Sequence, residues 1–166
     1  MAKVVDTHGR FLAIASASFE QLKQRIADNI RRKGKWASGK TAESMQVVQF
    51  EAEGLSAVTL YGRQDFETLE TGNPPADRPL REFRDVLYKW SIDKGIPFKA
   101  ENARLFFAFR NAVRINEEGD RQYRSGTRAD VYTTAAQETA QDIEKQMSTV
   151  VGRWASELAS EILREL

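Results

Sequence analysis

Residues 37–75 read ASGKTAESMQVVQFEAEGLSAVTLYGRQDFETLETGNPP, and they decide the fold because they hold the one clear strand pair in a chain that otherwise reads as helix and loop. SMQVVQFE and SAVTLYG are short runs rich in β-branched and aromatic residues, separated by AEGL. That pattern predicts an antiparallel hairpin with Gly54 in its turn. Alternation supports the pairing: Met45, Val47 and Gln49 share one face and Val48 and Phe50 the other, while Val58 and Leu60 lie opposite Thr59 and Tyr61. Residues 65–71 read as a short helical turn that stops at Gly72, where glycine takes positive φ, and Pro74-Pro75 prevent its continuation.

On the N-terminal side, Phe11, Ile14, Ala15, Phe19, Leu22, Ile26 and Ile30 recur at three- and four-residue steps, predicting an amphipathic helix over about residues 10–32. It runs into RRKGKWASGK, residues 31–40, with five basic side chains around Gly34 and Trp36: a helix end whose dipole favours cations, then an exposed loop. On the C-terminal side, Asp77 and Pro79 open a helix lined by Leu80, Phe83, Leu87 and Trp90 as far as Gly95. Pro97 breaks the chain, and Asn102 to Ile115 restarts it with Leu105, Phe106, Phe109, Ala112 and Val113, an apolar arc expected to be mostly buried. Residues 116–130, NEEGDRQYRSGTRAD, read as a long polar loop in which Arg121, Tyr123, Arg124 and Arg128 form a candidate subunit contact. A last helix opens near Thr133-Thr134, with Gln137 completing a capping box, and its seam of Ile143, Met147, Val150, Val151, Trp154, Leu158 and Ile162 runs on to the C-terminus. At about 1.5 Å per residue it reaches roughly 48 Å, long enough to extend toward another subunit.

The resulting expectation is one α+β domain over residues 1–166: a small antiparallel sheet, the hairpin with a possible extra strand, packed against several helices with a long C-terminal helix. At 41% hydrophobic residues the chain sustains a single core. It contains no cysteine and one histidine, His8, so thiolate chemistry is excluded and a zinc site has few donors. No apolar run approaches a membrane span, and the first fifteen residues do not read as a signal peptide. The net charge of +1 is far from the basic excess of a dedicated nucleic-acid binder, so any basic patch is local.

Gly34 to Thr41, GKWASGKT, satisfies the phosphate-loop pattern. The chemistry needs an apolar strand feeding the loop and a helix opening at the Lys-Thr, whereas here a charged helix end precedes and a strand follows. Glu67 and Glu70 lie three apart on a helical turn and read as a solvated face rather than paired catalytic carboxylates. No catalytic, cofactor-binding or metal-binding residue is assigned.

The spacing of the central stretch resembles the tailed-phage tail-completion or neck family, also described as head-tail joining proteins. Ser38 and Gly39 match its small residue and glycine, Ser44-Met45 the serine and the start of the strand, and Glu70, Gly72 and Pro74 its closing signature. Thr41, Thr68 and Asn73 depart from the family's aliphatic, aromatic and threonine positions, with Phe66 standing near the missing aromatic. Ile115 to Gly119, Tyr123 to Gly126 and Asp130 are similar to the region before the last helix in longer members. The resemblance implies a non-enzymatic α+β protein without cofactors that forms a ring around the DNA channel. Its implied partners are further copies of itself, the portal or adaptor, and tail proteins, with DNA passing through the lumen without sequence-specific contact. Its implied place is the neck or tail of a virion assembled in the bacterial cytoplasm. Gly39, Ser44, Glu70, Gly72 and Pro74 are then structural. The alternative is a nucleic-acid-binding module using residues 31–40, and a third reading is nucleotide hydrolysis at Gly34 to Thr41.

Overall fold

A computed structural model describes residues 7–52, 55–63 and 66–165. The chain is α+β: helices α1 (Thr7–Arg32), α2 (Lys40–Glu43), α3 (Thr68–Thr71), α4 (Leu80–Asp93), α5 (Glu101–Glu118), α6 (Arg121–Ser125) and α7 (Thr133–Glu165), with strands β1 (Gln46–Ala52) and β2 (Leu55–Tyr61). The strands pair antiparallel, as the two runs predict, with Val47 opposite Leu60 and Gln49 opposite Val58, which puts these four residues on one face of the hairpin. Among the described residues the sheet has two strands and no third. Gly54, expected in the hairpin turn, and Asp65, expected to start the short helical turn, lie outside the described residues.

Two compact units interleave along the chain: residues 1–26, 45–61 and 132–166 make the first, residues 27–44 and 62–131 the second. In the first unit the N-terminal part of α1 is tied to both of the other elements. Gln49 of β1 donates to Ser16 of α1, and His8 Nε2 lies 2.9 Å from Ser56 Oγ of β2. Arg25 pairs with Glu138 and Asp142 of α7, each at 3.6 Å. Beneath these contacts Leu22, Ile26, Met45 and Ala135 are buried, so the helical and strand periodicities supply one small core.

The second unit is built on α4 and α5, which pack against each other. Ser91 of α4 and Ala108 and Ala112 of α5 are fully buried, small side chains that let the helix axes approach closely. This corrects the expectation of a mostly buried aromatic arc on α5. Phe106 is 65% exposed, and Leu105 and Phe109 are exposed as well, because the alanine stripe took the contact with α4 and turned the aromatics outward. At the start of α4, Pro79 rather than Asp77 occupies the capping position, with φ −54° and ψ 111°, as expected of the residue before a helix that lacks an N–H to satisfy. The helix stops as expected before Gly95, which has φ 66°.

The long polar loop is also corrected. Residues 116–118 belong to α5 and residues 121–125 form α6, so only short connections remain irregular. Hydrogen bonding within its own unit orders this segment despite its few apolar groups: Asn29 Nδ2 donates to Val131 O at 2.9 Å, Lys33 pairs with Asp130 at 3.8 Å, and Ala129 N donates to Glu70 O at 2.9 Å.

Candidate functional site

The closing signature and the candidate contact residues, some fifty positions apart in sequence, meet in the second unit. Asp120 accepts from Tyr123 N at 2.9 Å and so caps α6. Its other carboxylate oxygen accepts from Asn73 N at 2.8 Å and Asn73 Nδ2 at 2.9 Å, while Asp120 N donates to Asn73 O at 2.9 Å. Gln122 Nε2 donates to Glu70 O. The TGNPP loop is thereby clasped against the α5–α6 junction. Gly72 has φ 84° and ψ 172°, and a Cβ there would lie 2.5 Å from Asp120 Oδ1 and nearer still to the Tyr123 backbone nitrogen. Positive φ was legible in the sequence; the close approach was not. Pro74 O accepts from Arg78 at 3.2 Å. Glu70 is 2% exposed, a buried carboxylate rather than a solvated face, which corrects that reading.

Ser44 Oγ donates to Thr41 O at 2.8 Å and accepts from Arg63 N at 3.3 Å, joining α2 to the chain after β2. Gly39 precedes α2 with φ 81° beneath the Trp36 ring. Arg124 is turned inward onto Glu118 at 3.2 Å and Gly119 O at 2.8 Å, and the Tyr123 ring covers Gly119. Arg121 and Arg128 are exposed.

Beside the clasp lies an open cleft of about 750 Å³, wholly within the second unit, which sequence reasoning missed because its walls come from five separate stretches of chain. Trp36, Phe83, Leu87, Trp90, Phe107 and Ile115 form its apolar surface. Seven Lys and Arg side chains line it against two aspartates, Asp93 and Asp120. Burial holds the Lys35 ammonium below the ordinary lysine value against the opposing pull of Asp120. Burial and then the Lys35 charge lower Lys94 in the same way. Burial would raise Asp120, but the hydrogen bonds from Tyr123 and Asn73, helped by Lys35, outweigh it and hold the carboxyl below its ordinary value. The cleft therefore concentrates positive charge over an apolar floor, a surface suited to an anionic ligand with an apolar body.

GKWASGKT sits on the rim of this cleft without the geometry of a phosphate loop. Helix α1 feeds it, the helix that follows has four residues, and β1 begins at Gln46. Four of the five basic residues in segment 31–40 are engaged inside the chain. Arg31 pairs with Asp28 at 3.2 Å and lies 4.3 Å over the Trp36 ring, Arg32 bonds Asn29, Lys33 pairs with Asp130, and Lys35 bonds Gln122. Among the described residues no three His, Asp or Glu side chains gather as a metal ion would require, and no helix is long and apolar enough to cross a membrane. Comparison of the chain with family models, curated proteins and solved structures returns no match.

Proposed function

We propose that the protein is a structural virion component of a tailed bacteriophage, forming a ring in the neck or tail that joins the portal to the tail around the DNA channel. The observation that carries this reading is the second half of α7, where Val151, Trp154, Leu158 and Ile162 form a continuous line and all are exposed. A stripe of that length on one helix marks a surface that another chain covers. The exposed Leu105, Phe106 and Phe109 of α5 point the same way, and the sequence resemblance supplies the kind of assembly. Portal, adaptor and tail proteins are the neighbours in this reading, and DNA passes through without base readout.

The second reading, a nucleic-acid-binding module at residues 31–40, draws on the cationic surplus of the cleft but has most of that segment's charge already engaged within the chain. Negative-stain microscopy of the purified protein, alone and with portal, decides between them. Closed rings with a central opening are expected. Monomers in both samples, together with DNA binding that falls steeply with salt, would replace the ring by the second reading.

A further inference from the structure

We propose that the basic cleft of one subunit receives the last turns of α7 from a second copy of this chain, making a head-to-tail contact. The proposal rests on the ring reading and supplies its interface.

The two surfaces match in apolar character and complement each other in charge. On α7, Val151, Trp154, Leu158 and Ile162 fall within a narrow arc of the helix, and Glu157 and Glu161, four residues apart, border it along one edge. No ion pair among the described residues engages either glutamate, whereas Glu138 and Asp142 in the first half of the helix are held by Arg25. The cleft offers the converse: an apolar floor, with Lys40, Lys89 and Arg121 on its walls and no described ion pair on any of the three. Its 750 Å³ lies within the roughly 300–1,000 Å³ of sites that enclose a few large groups, so it holds the side chains of a helix ridge, with Trp154 as the natural anchor.

Charge also selects the mode of contact. The second unit carries 18 Lys and Arg against 14 Asp and Glu, and the first carries 7 against 10. A first unit facing a neighbour's second unit is attracted, while like units face each other with like charge. Antiparallel pairing of the α7 seam with its own copy would set the Glu157–Glu161 edge against itself. Head-to-tail contact avoids both penalties, and it is the geometry that closes into a ring when the rotation between subunits permits.

Paired charge reversals test this. E157K/E161K alters only exposed positions on α7 and K89E/R121E only exposed positions on the cleft, and thermal melts by circular dichroism verify that both variants fold. By sedimentation velocity each variant alone should need about tenfold or more higher concentration to assemble, since Lys then faces Lys or Glu faces Glu. Their equimolar mixture should recover wild-type assembly, because every tail then meets a cleft of opposite charge. A benzophenone at position 158, in mixed light and heavy isotope-labelled protein, should cross-link between copies to cleft peptides. Variants that assemble like wild type, a mixture that fails to recover, or cross-links confined to single copies each overturn the contact and leave the ring reading standing. Wild type that stays monomeric with and without portal overturns both. A single-stranded oligonucleotide that binds wild type, but not K89E/R121E, with no change in assembly would reassign the cleft to nucleic acid.

Discussion

Gly72 and Gly95 both have positive φ, but they differ in what surrounds them, and two substitutions separate the effects. Gly95 has φ 66° with nothing within 4 Å of the Cβ position, so Gly95→Ala pays only the left-handed strain, about 1–2 kcal/mol. Gly72 lies in a region nearly closed to other residues, and its added Cβ would meet the Tyr123 backbone and the Asp120 carboxylate, neither of which moves without opening the clasp. Gly72→Ala should therefore cost roughly 3 kcal/mol or more in urea unfolding, strain and lost hydrogen bonds together. Equal losses at the two sites would show that close approach plays no part. Asp120 gives the clasp a pH dependence. Its folded pKa lies below its unfolded value near 3.8, so its contribution is complete above about pH 4 and is lost as the pH falls through the folded value. Asp120→Ala should lower stability by about 1–2 kcal/mol at neutral pH through the lost cap. The difference between variant and wild-type melting temperatures should shrink below pH 4, and a constant difference down to pH 2 would assign the role of Asp120 to something other than its charge.

At the scale of elements, legibility followed from how many independent signals each stretch carried. The hairpin had alternation, β-branched residues and a glycine between its runs, and its two strands pair antiparallel as those signals predict, while the register itself came only from the structure. Helices α1 and α7 had long periodic seams and were placed to within a few residues. Helix α5 was found, but its buried face was misjudged, because a broad arc of Leu105, Phe106 and Phe109 outweighs alanines in any hydrophobic pattern. Packing rewards close approach, and Ala108 and Ala112 permit it where phenylalanine does not. Helix α6 was missed for a different reason. Five residues have no periodicity, and the signal that starts it, Asp120 three positions before Tyr123, reads equally as a charged loop until Asn73 is known to sit on the other carboxylate oxygen. The candidate residues were identified as two separate groups, and only the tertiary hydrogen bonds joined the closing signature to Tyr123 and Arg124. The cleft had no linear signature at all.

For the whole molecule, the near-neutral net charge of +1 conceals an uneven distribution, acidic in the first unit and basic in the second. That distribution predicts how assembly responds to salt. If subunits join through the apolar seam of α7 seated among cleft cations, two forces act with different salt sensitivity. The Coulomb part is screened as the Debye length falls from about 10 Å at 0.1 M to about 3 Å at 1 M. The burial of Trp154, Leu158 and Ile162 is not screened and is slightly strengthened. Raising sodium chloride from 0.05 to 0.5 M should then weaken assembly by about tenfold without abolishing it, far less than the thousandfold or greater loss expected of a protein that tracks several phosphates. Replacing chloride by sulfate at matched ionic strength should recover part of the loss, because an excluded anion favours apolar burial. Equilibrium sedimentation across both series measures this directly. An affinity independent of salt would mean that the apolar seam finds its partner without the cleft cations, and a collapse of assembly at moderate salt would mean that the seam stays in water and charge alone holds the subunits.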